Sequence, residues 1–389
     1  MLVARPVAGS SLVVPASGAP DVACAGSTVA EPLSPLEAQF ANPAGLAGFG
    51  ETAAGSGLGL AYGRGVVSAQ TGAGQYHADN SVIVPFLDGF AVLPWGRWTF
   101  GVSVMGTSGA RFDYGPRPAV GIDKGFFSES SIFAVPIGAA YRLSDTLWLG
   151  AEISPLYGST HLRFDETVAE APAAPTYFRY TVSGLGVQGM VGITWRPVES
   201  WSFGLSVKPP GRIWTDGNTE FQGEKQNVDL DLEWPMAVSV GVKDRITPRW
   251  ALTYGASFVQ TSVLATSYMR YEKTPSANSP FLPDARDEWH HALGIDYAWS
   301  DAVKVFGGLS WANGIVGNRG VTPLSYDSQN DVRLSIGARR KTERWVIDGS
   351  FAYIFAESHH VTADQALMMP GGYNSKPAYL LSILLTRKF

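Results

Sequence analysis

The stretch Trp98-Thr99-Phe100-Gly101-Val102-Ser103-Val104-Met105 alternates at every step. In an extended chain Trp98, Phe100, Val102 and Val104 share one face, and Thr99, Gly101, Ser103 and Met105 share the other. The same alternation recurs in Trp201, Phe203, Leu205 and Val207 and in Trp250, Leu252, Tyr254, Ala256 and Phe258. It returns in Trp345, Ile347, Phe351, Tyr353 and Phe355, which oppose Asp348, Ser350 and Ala352. A soluble sandwich fills its buried face with bulky side chains and its wet face with long charged ones. Here the second face is mostly Gly, Ala, Ser and Thr. Bulky groups turned to hydrocarbon and small ones to a lumen fit that composition, so the strands read as a transmembrane β-barrel.

Working outward, period two runs from Gly55 to the last residue. Short links fall at 94–97, 143–145, 197–200, 245–248, 299–301 and 341–343. Longer polar loops fall between them, at 110–128, 163–176, 211–227, 263–286, 315–330 and 357–376. A strict short–long alternation is that of short periplasmic turns and long external loops. About fourteen antiparallel strands result, an even number as such barrels require. They start near 55, 80, 97, 129, 146, 177, 200, 228, 249, 287, 302, 330, 344 and 377. Trp98, Trp148, Trp201, Trp250 and Trp345 lie beside the short turns, where an interfacial aromatic girdle is expected. In the final strand Tyr379, Leu381, Ile383, Leu385 and Phe389 share a face. Arg387 departs from that pattern but can snorkel to the interface.

Composition agrees. Charged residues are 16% and aromatics 12% of the 389, with 44 Gly. No run of 18 apolar residues offers a transmembrane helix. A net charge of −5 carries no basic bias toward nucleic acid. Cys24 is the single cysteine, which excludes an intrachain disulfide and a cysteine metal cluster. Asp21 precedes it by three residues, against a lipoprotein signal. Residues 1–17 read as a weak or truncated export signal: Arg5 is the only cation, and Pro6, Gly9 and Pro15 break the apolar run. Residues 18–54 are small-residue-rich and aperiodic, fit to plug a lumen as a hatch, and 55–389 form the barrel.

Within the hatch, Phe40-Ala41-Asn42-Pro43-Ala44-Gly45-Leu46-Ala47 reads as a compact turn. Pro43 biases Asn42 away from helical angles, and Gly45 permits a reversal. Phe40, Asn42, Pro43, Ala44, Gly45 and Leu46 are its gating candidates. The strand at 80–93 is apolar on both faces apart from Asp88, so Val84, Phe86 and Phe90, with Met105, are candidates for an apolar substrate path. Pro85, Pro136, Pro155, Pro209 and Pro235 fall inside strands, where proline marks a bulge or an opening. Alternation sends Asp88, Glu152, Lys208, Asp229, Asp231, Glu233, Asp296, Lys304, Arg333, Arg339 and Asp348 to the lumen. A compensating ion-pair network is the ordinary reading of these; Lys208, Arg333 or Arg339 holding a substrate carboxylate is the functional one. His290-His291 and His359-His360 are adjacent pairs whose side chains point to opposite faces, a poor arrangement for one metal ion. Ser358-His359 raises a barrel lipase, for which no spaced acid completes a triad; a structural or adhesive surface barrel is the other alternative. No cofactor or metal is implied.

Taken together, Gly26-Ser27-Thr28-Val29-Ala30, Ser34-Pro35-Leu36-Glu37-Ala38 and Asn42-Pro43-Ala44-Gly45-Leu46-Ala47 resemble the hatch of outer-membrane transporters of the long-chain fatty acid (FadL) and toluene (TodX) type. Trp289 to Tyr297 and the final strand resemble that family's closing strands; Ala41 departs where the family commonly has Tyr. The resemblance implies a fourteen-stranded barrel in the outer membrane of a Gram-negative bacterium, with an internal hatch. It implies passive uptake of fatty acids or aromatic hydrocarbons with sideways release into the membrane. The implied partners are the hydrophobic solute, outer-membrane lipid and lipopolysaccharide, and the barrel assembly machinery through the last strand, the chain acting as a monomer.

Overall fold

The structure, a computed structural model, describes residues 16–71, 73–166, 176–221, 224–275, 278–321, 330–365 and 370–389. The segment read as an export signal lies outside these except for Ala16 and Ser17. Fourteen antiparallel strands close into a barrel. They are β1 (Ala53–Thr71), β2 (Gly74–Trp95), β3 (Trp98–Tyr114), β4 (Phe126–Ala134 continued by Ile137–Arg142), β5 (Leu147–Glu166) and β6 (Thr176–Val198). Next come β7 (Trp201–Lys208 continued by Gly211–Phe221), β8 (Glu224–Trp234 continued by Ala237–Asp244), β9 (Trp250–Val259), β10 (Glu288–Ala298) and β11 (Val303–Ala312). The last are β12 (Asp331–Lys341), β13 (Trp345–Ile354) and β14 (Gly371–Ser375 continued by Ala378–Lys388). Each pairs with the next in sequence, and β1 pairs with β14 from Ala53↔Lys388 to Tyr62↔Tyr379, which leaves no edge.

Bulky residues of the alternating face point outward. Trp98, Trp201, Trp250 and Trp345 are all about 40% exposed at the short-turn end. Trp148 does not join this girdle. It is 7% exposed and faces the lumen, packed on Ala44, Leu46 and Ala47 of the hatch. It shares its face with Gly150 and Glu152, whereas Leu147, Leu149 and Ile153 take the outer one.

The strands are longer than the membrane requires. β1, β2, β5 and β6 have 19, 22, 20 and 23 residues, roughly twice the 9–11 that a tilted strand needs to cross. In the outer halves of β1, β2 and β3 the polarity is reversed. Val67, Ala69, Tyr76, Phe112 and Tyr114 turn inward into a buried cluster, while Arg64, Gln75, Asp79, Arg111 and Asp113 face out. That region stands in water, so it is built like a soluble protein. The reversal corrects three lumen assignments: Asp229, Asp231 and Glu233 lie on the outer face of β8, opposite buried Val228, Leu230, Leu232 and Trp234. It also corrects the loop expected at 211–227. That stretch is the paired outer part of β7 and β8, joined across 222–223, and β1 and β2 are likewise joined across 72–73, so the short–long alternation is not strict. Their polar residues face water, which made strands look like loops. β2 accordingly begins at Gly74, six residues before the expected start.

The hatch fills the barrel interior. It comprises α1 (Ala19–Ala23), a 3-10 turn at Thr28–Ala30, α2 (Pro35–Ala41) and a second 3-10 turn at Pro43–Gly48. Ser34 caps α2 by accepting from the Glu37 N–H at 3.3 Å, and Pro35 occupies the first turn, where no N–H is needed. The small inner face of the wall is small because the hatch lies against it. A Cβ on Gly150 would sit 2.2 Å from the Ala44 nitrogen, and one on Gly192 would sit 2.1 Å from Asn42 Oδ1.

Candidate functional site

Asn42 is the knot between hatch and wall. It is fully buried, ends α2 and begins the following 3-10 turn. Its Oδ1 accepts from the Ala44 N–H at 3.1 Å, which shapes the turn ahead of Gly45 and Leu46. Its Nδ2 faces three acceptors: Val29 O in the hatch at 3.0 Å, and Ile193 O at 3.0 Å and Thr194 Oγ1 at 3.2 Å on β6. Two amide hydrogens shared among three acceptors fix the side chain tightly. Pro43, Ala44, Gly45 and Leu46 are buried beside it. Further ties run from Ser206 Oγ to Ala41 O at 2.6 Å and from Gln39 Nε2 to Pro136 O at 3.1 Å.

A second anchor is not among the sequence-derived candidates. Residues 18–54 contain Asp21, Glu31, Glu37 and Glu51 and no Lys or Arg. The wall supplies the cations. Glu31 Oε2 accepts from Arg245 and Arg196 and from Ser202 Oγ, joining the hatch to the periplasmic ends of β6, β7 and β8. Burial alone would raise its pKa, but Lys243, Arg245 and Arg196 outweigh that and hold the carboxyl below its usual range. Asp21 and Glu37 are different. Asp21 accepts from Ser17 N–H and Thr28 Oγ1, and Glu37 accepts from the Asp21 and Leu33 N–H groups. Burial pushes Asp21 up to about 6, and burial with the neighbouring Asp21 charge pushes Glu37 well up. Four acids in a plug without a Lys or Arg must find either cations on the wall, as Glu31 and Glu51 do, or hydrogen-bond donors within the plug, as Asp21 and Glu37 do.

Above the hatch lies an apolar chamber. Phe40 and Leu36 of α2 meet Phe90, Met105, Ile132, Leu156, Ile213, Leu230, Leu232, Trp234 and Leu264 in one buried cluster. A small cavity in its outer part, about 10 Å3, is lined by Ile132, Val182, Ile213, Leu232, Trp234 and Phe281 together with Ser108, Ser130, Ser159, Thr160 and Thr215, so the cluster is nearly filled. Of the expected path, Phe90 and Met105 are in this cluster, while Val84 and Phe86 are buried further out along β2. The Phe90 and Phe86 rings lie over Gly55 and Gly59, where a Cβ would collide with them.

Asp88, Glu152, Lys208, Asp296, Arg333, Arg339 and Asp348 all point inward, as does Lys304 on the face of buried Phe306. Arg339 makes a two-pronged bond to Asp348, at 2.6 and 3.1 Å. Arg333 bonds Asp331 at 2.9 Å. Lys208 is the cation brought to the chamber, its Nζ 4.7 Å from the centre of the Phe40 ring. The histidines separate as their spacing requires. His290 is buried, and His291 faces out, where it takes a hydrogen bond with Tyr254 Oη at 2.9 Å between Trp289 and Trp311. Ser358 and His359 lie in a short external strand that pairs with Gly371–Ser375.

The prolines divide. Pro85 and Pro155 stay within β2 and β5. Pro136, Pro209 and Pro235 sit at the breaks in β4, β7 and β8. β3 carries a bulge between Gly106 and Ser108 beside the first break. Between β7 and β8, pairing stops at Gly211↔Trp234 and resumes at Lys208↔Ala237. There the Gln188 amide of β6 donates to Pro209 O at 2.9 Å and to Pro235 O at 3.0 Å, replacing the missing ladder bonds with a side chain.

Residues 7–389 match the sequence profile of outer membrane protein transport proteins (OMPP1/FadL/TodX). Comparison with curated protein sequences gives no match. Among solved structures, a Pseudomonas aeruginosa FadL homologue superposes with a TM-score of 0.84 at 17% identity, covering 97% of this chain and 99% of that one. The Ralstonia pickettii toluene transporter TbuX gives 0.75 at 18% identity over 96% and 99% of the two chains. The Pseudomonas putida toluene transporter TodX gives 0.76 at 13% over 97% and 99%. At these identities the structural likeness is one of fold.

Proposed function

This chain belongs to the OMPP1/FadL/TodX family of outer-membrane transport proteins, and from that membership we propose that it carries hydrophobic small molecules passively, past the hatch and sideways into the membrane. The observation that supports this reading is the chamber of Phe40, Phe90, Met105, Ile213, Leu232 and Trp234 above a filled lumen. A water-filled pore suits polar solutes. A solute that gains by leaving water is favoured among these apolar side chains instead, once they part to admit it, and from there the membrane costs it nothing further. Val84 and Phe86 extend the apolar wall toward the outside. Phe40 and the Asn42–Leu46 turn form the floor that must shift for the solute to pass.

For lateral release, the interrupted ladder between β7 and β8 is the proposed exit. It adjoins Trp234 and is spanned by one amide, that of Gln188. Lys208, which stands beside Phe40 and within the field of the Glu152 carboxyl, is the proposed contact for a substrate carboxylate, while Arg333 and Arg339 hydrogen-bond Asp331 and Asp348. Solved neighbours that transport toluene make an aromatic hydrocarbon the other substrate class. The chain is proposed to act as a monomer surrounded by lipid and lipopolysaccharide, and to be assembled through its last strand.

Native mass spectrometry of the purified barrel tests the chamber. The parent should carry or take up one long-chain fatty acid or one aromatic hydrocarbon. Leu232→Asp, which puts a charge in the chamber, should lose it while remaining a folded barrel. Absence of binding by the parent to either class of probe would overturn the reading.

A further inference from the structure

The outer wall at β9–β13 carries a groove that transport does not use. Its volume is about 510 Å3, within the range of sites that hold small ligands. Trp250 and Tyr297 form one side, Phe351 and Tyr353 the other, and Gly307 and Ile336 the floor. The Trp250 and Tyr297 rings meet at a tilt of 36° with centroids 4.3 Å apart, giving that side an aromatic edge. β10 to β13 are paired without interruption behind the groove, so it does not lead into the lumen.

Its position identifies the occupant. The groove begins at the short-turn end, beside the Trp girdle, and therefore lies in the periplasmic leaflet. From Leu334, at its inner end, to Arg340 on the same face of β12 is six residues, roughly 20 Å along the strand. At a tilt of about 40° this spans about 15 Å of depth, half of a ~30 Å hydrocarbon core. Arg340 is exposed at the end of that run, one residue before the strand closes at Lys341. It thus stands at headgroup height, with an apolar slot one leaflet deep beneath it. A chain-bearing molecule with a phosphate at its head matches both ends.

We infer that this groove holds one phospholipid of the periplasmic leaflet, an acyl chain lying over Gly307 and its anionic headgroup at Arg340. The floor is open because residue 307 has no side chain; a Cβ there would already come within 3.2 Å of Ile295 Cγ2. A leucine at 307 would therefore occupy the slot itself. Arg340 acts on the head and not on the chain, so its loss should change selectivity more than occupancy.

Native mass spectrometry of the intact barrel, titrated with phosphatidylglycerol and phosphatidylethanolamine in mild detergent, separates the possibilities. The parent should hold one phospholipid after the others are stripped, with phosphatidylglycerol favoured by about fivefold. Gly307→Leu should abolish that retained lipid, and Arg340→Gln should keep it but lose the preference. Equal retention by the parent and Gly307→Leu would overturn the inference. So would an unchanged headgroup preference in Arg340→Gln, or a lipid-free pair of barrels covering the groove.

Discussion

Asn42 ties plug to wall and shapes the plug's own turn with one side chain. Removing its amide leaves Val29 O, Ile193 O and Thr194 Oγ1 without that donor and frees the Ala44 N–H. The cost for buried partners is about 1–3 kcal/mol. That is small beside the pairing of fourteen strands, yet it is enough to move a two-state hatch by about fivefold or more. Asn42→Ala is therefore expected to keep heat-resistant migration in electrophoresis and to increase hydrogen exchange at Ala44 and Gly45. Unchanged exchange would remove Asn42 from the proposed gate. The importance of this residue was legible because no other side chain in its turn both donates and accepts. Glu31 was not singled out, since its partners Arg196 and Arg245 are 165 and 214 positions away and meet it only when the barrel closes.

At the scale of the strand, alternation says which residues share a face but not which face meets lipid. For β3, β7 and β9 the bulky set settles the matter, and Trp98, Trp201 and Trp250 lie outside as composition implies. Where a strand leaves the membrane its period continues while the chemistry on each face changes places, and that boundary is invisible to periodicity. Asp229, Asp231 and Glu233 were misplaced for this reason. Trp148 was misplaced for another: nearness to a short turn outweighed its parity with Glu152, which already pointed inward. Cysteine labelling tests the reversal on a Cys24→Ser background. An impermeant maleimide added outside should modify Asp229→Cys, whose parent side chain is 58% exposed, and should leave Val228→Cys and Trp98→Cys unmodified. Labelling at 228 and not at 229 would mean that β8 is out of register by one residue.

For the whole molecule, three environments are stacked in one cylinder: a periplasmic end anchored by Glu31, a membrane zone filled by the hatch, and an external half with its own apolar interior. Glu31 of the hatch meets Arg196 and Arg245 of the wall, so the plug is held by charge below and by Asn42 and close glycine contacts above. The apolar chamber lies where the plug ends. A barrel meant for polar solutes would have no reason to cap its lumen with Phe40, Trp234 and Leu232. The most direct measurement is uptake by cells that lack other entry routes and express either the parent or a variant deleted of residues 18–50. A labelled long-chain fatty acid, a labelled monoaromatic hydrocarbon and a small polar sugar serve as the solutes. The parent should speed entry of at least one hydrophobic solute and not of the sugar, and the deletion should admit the sugar. Equal entry of all three with the parent, or no gain for either hydrophobic solute over cells without the barrel, would contradict the account.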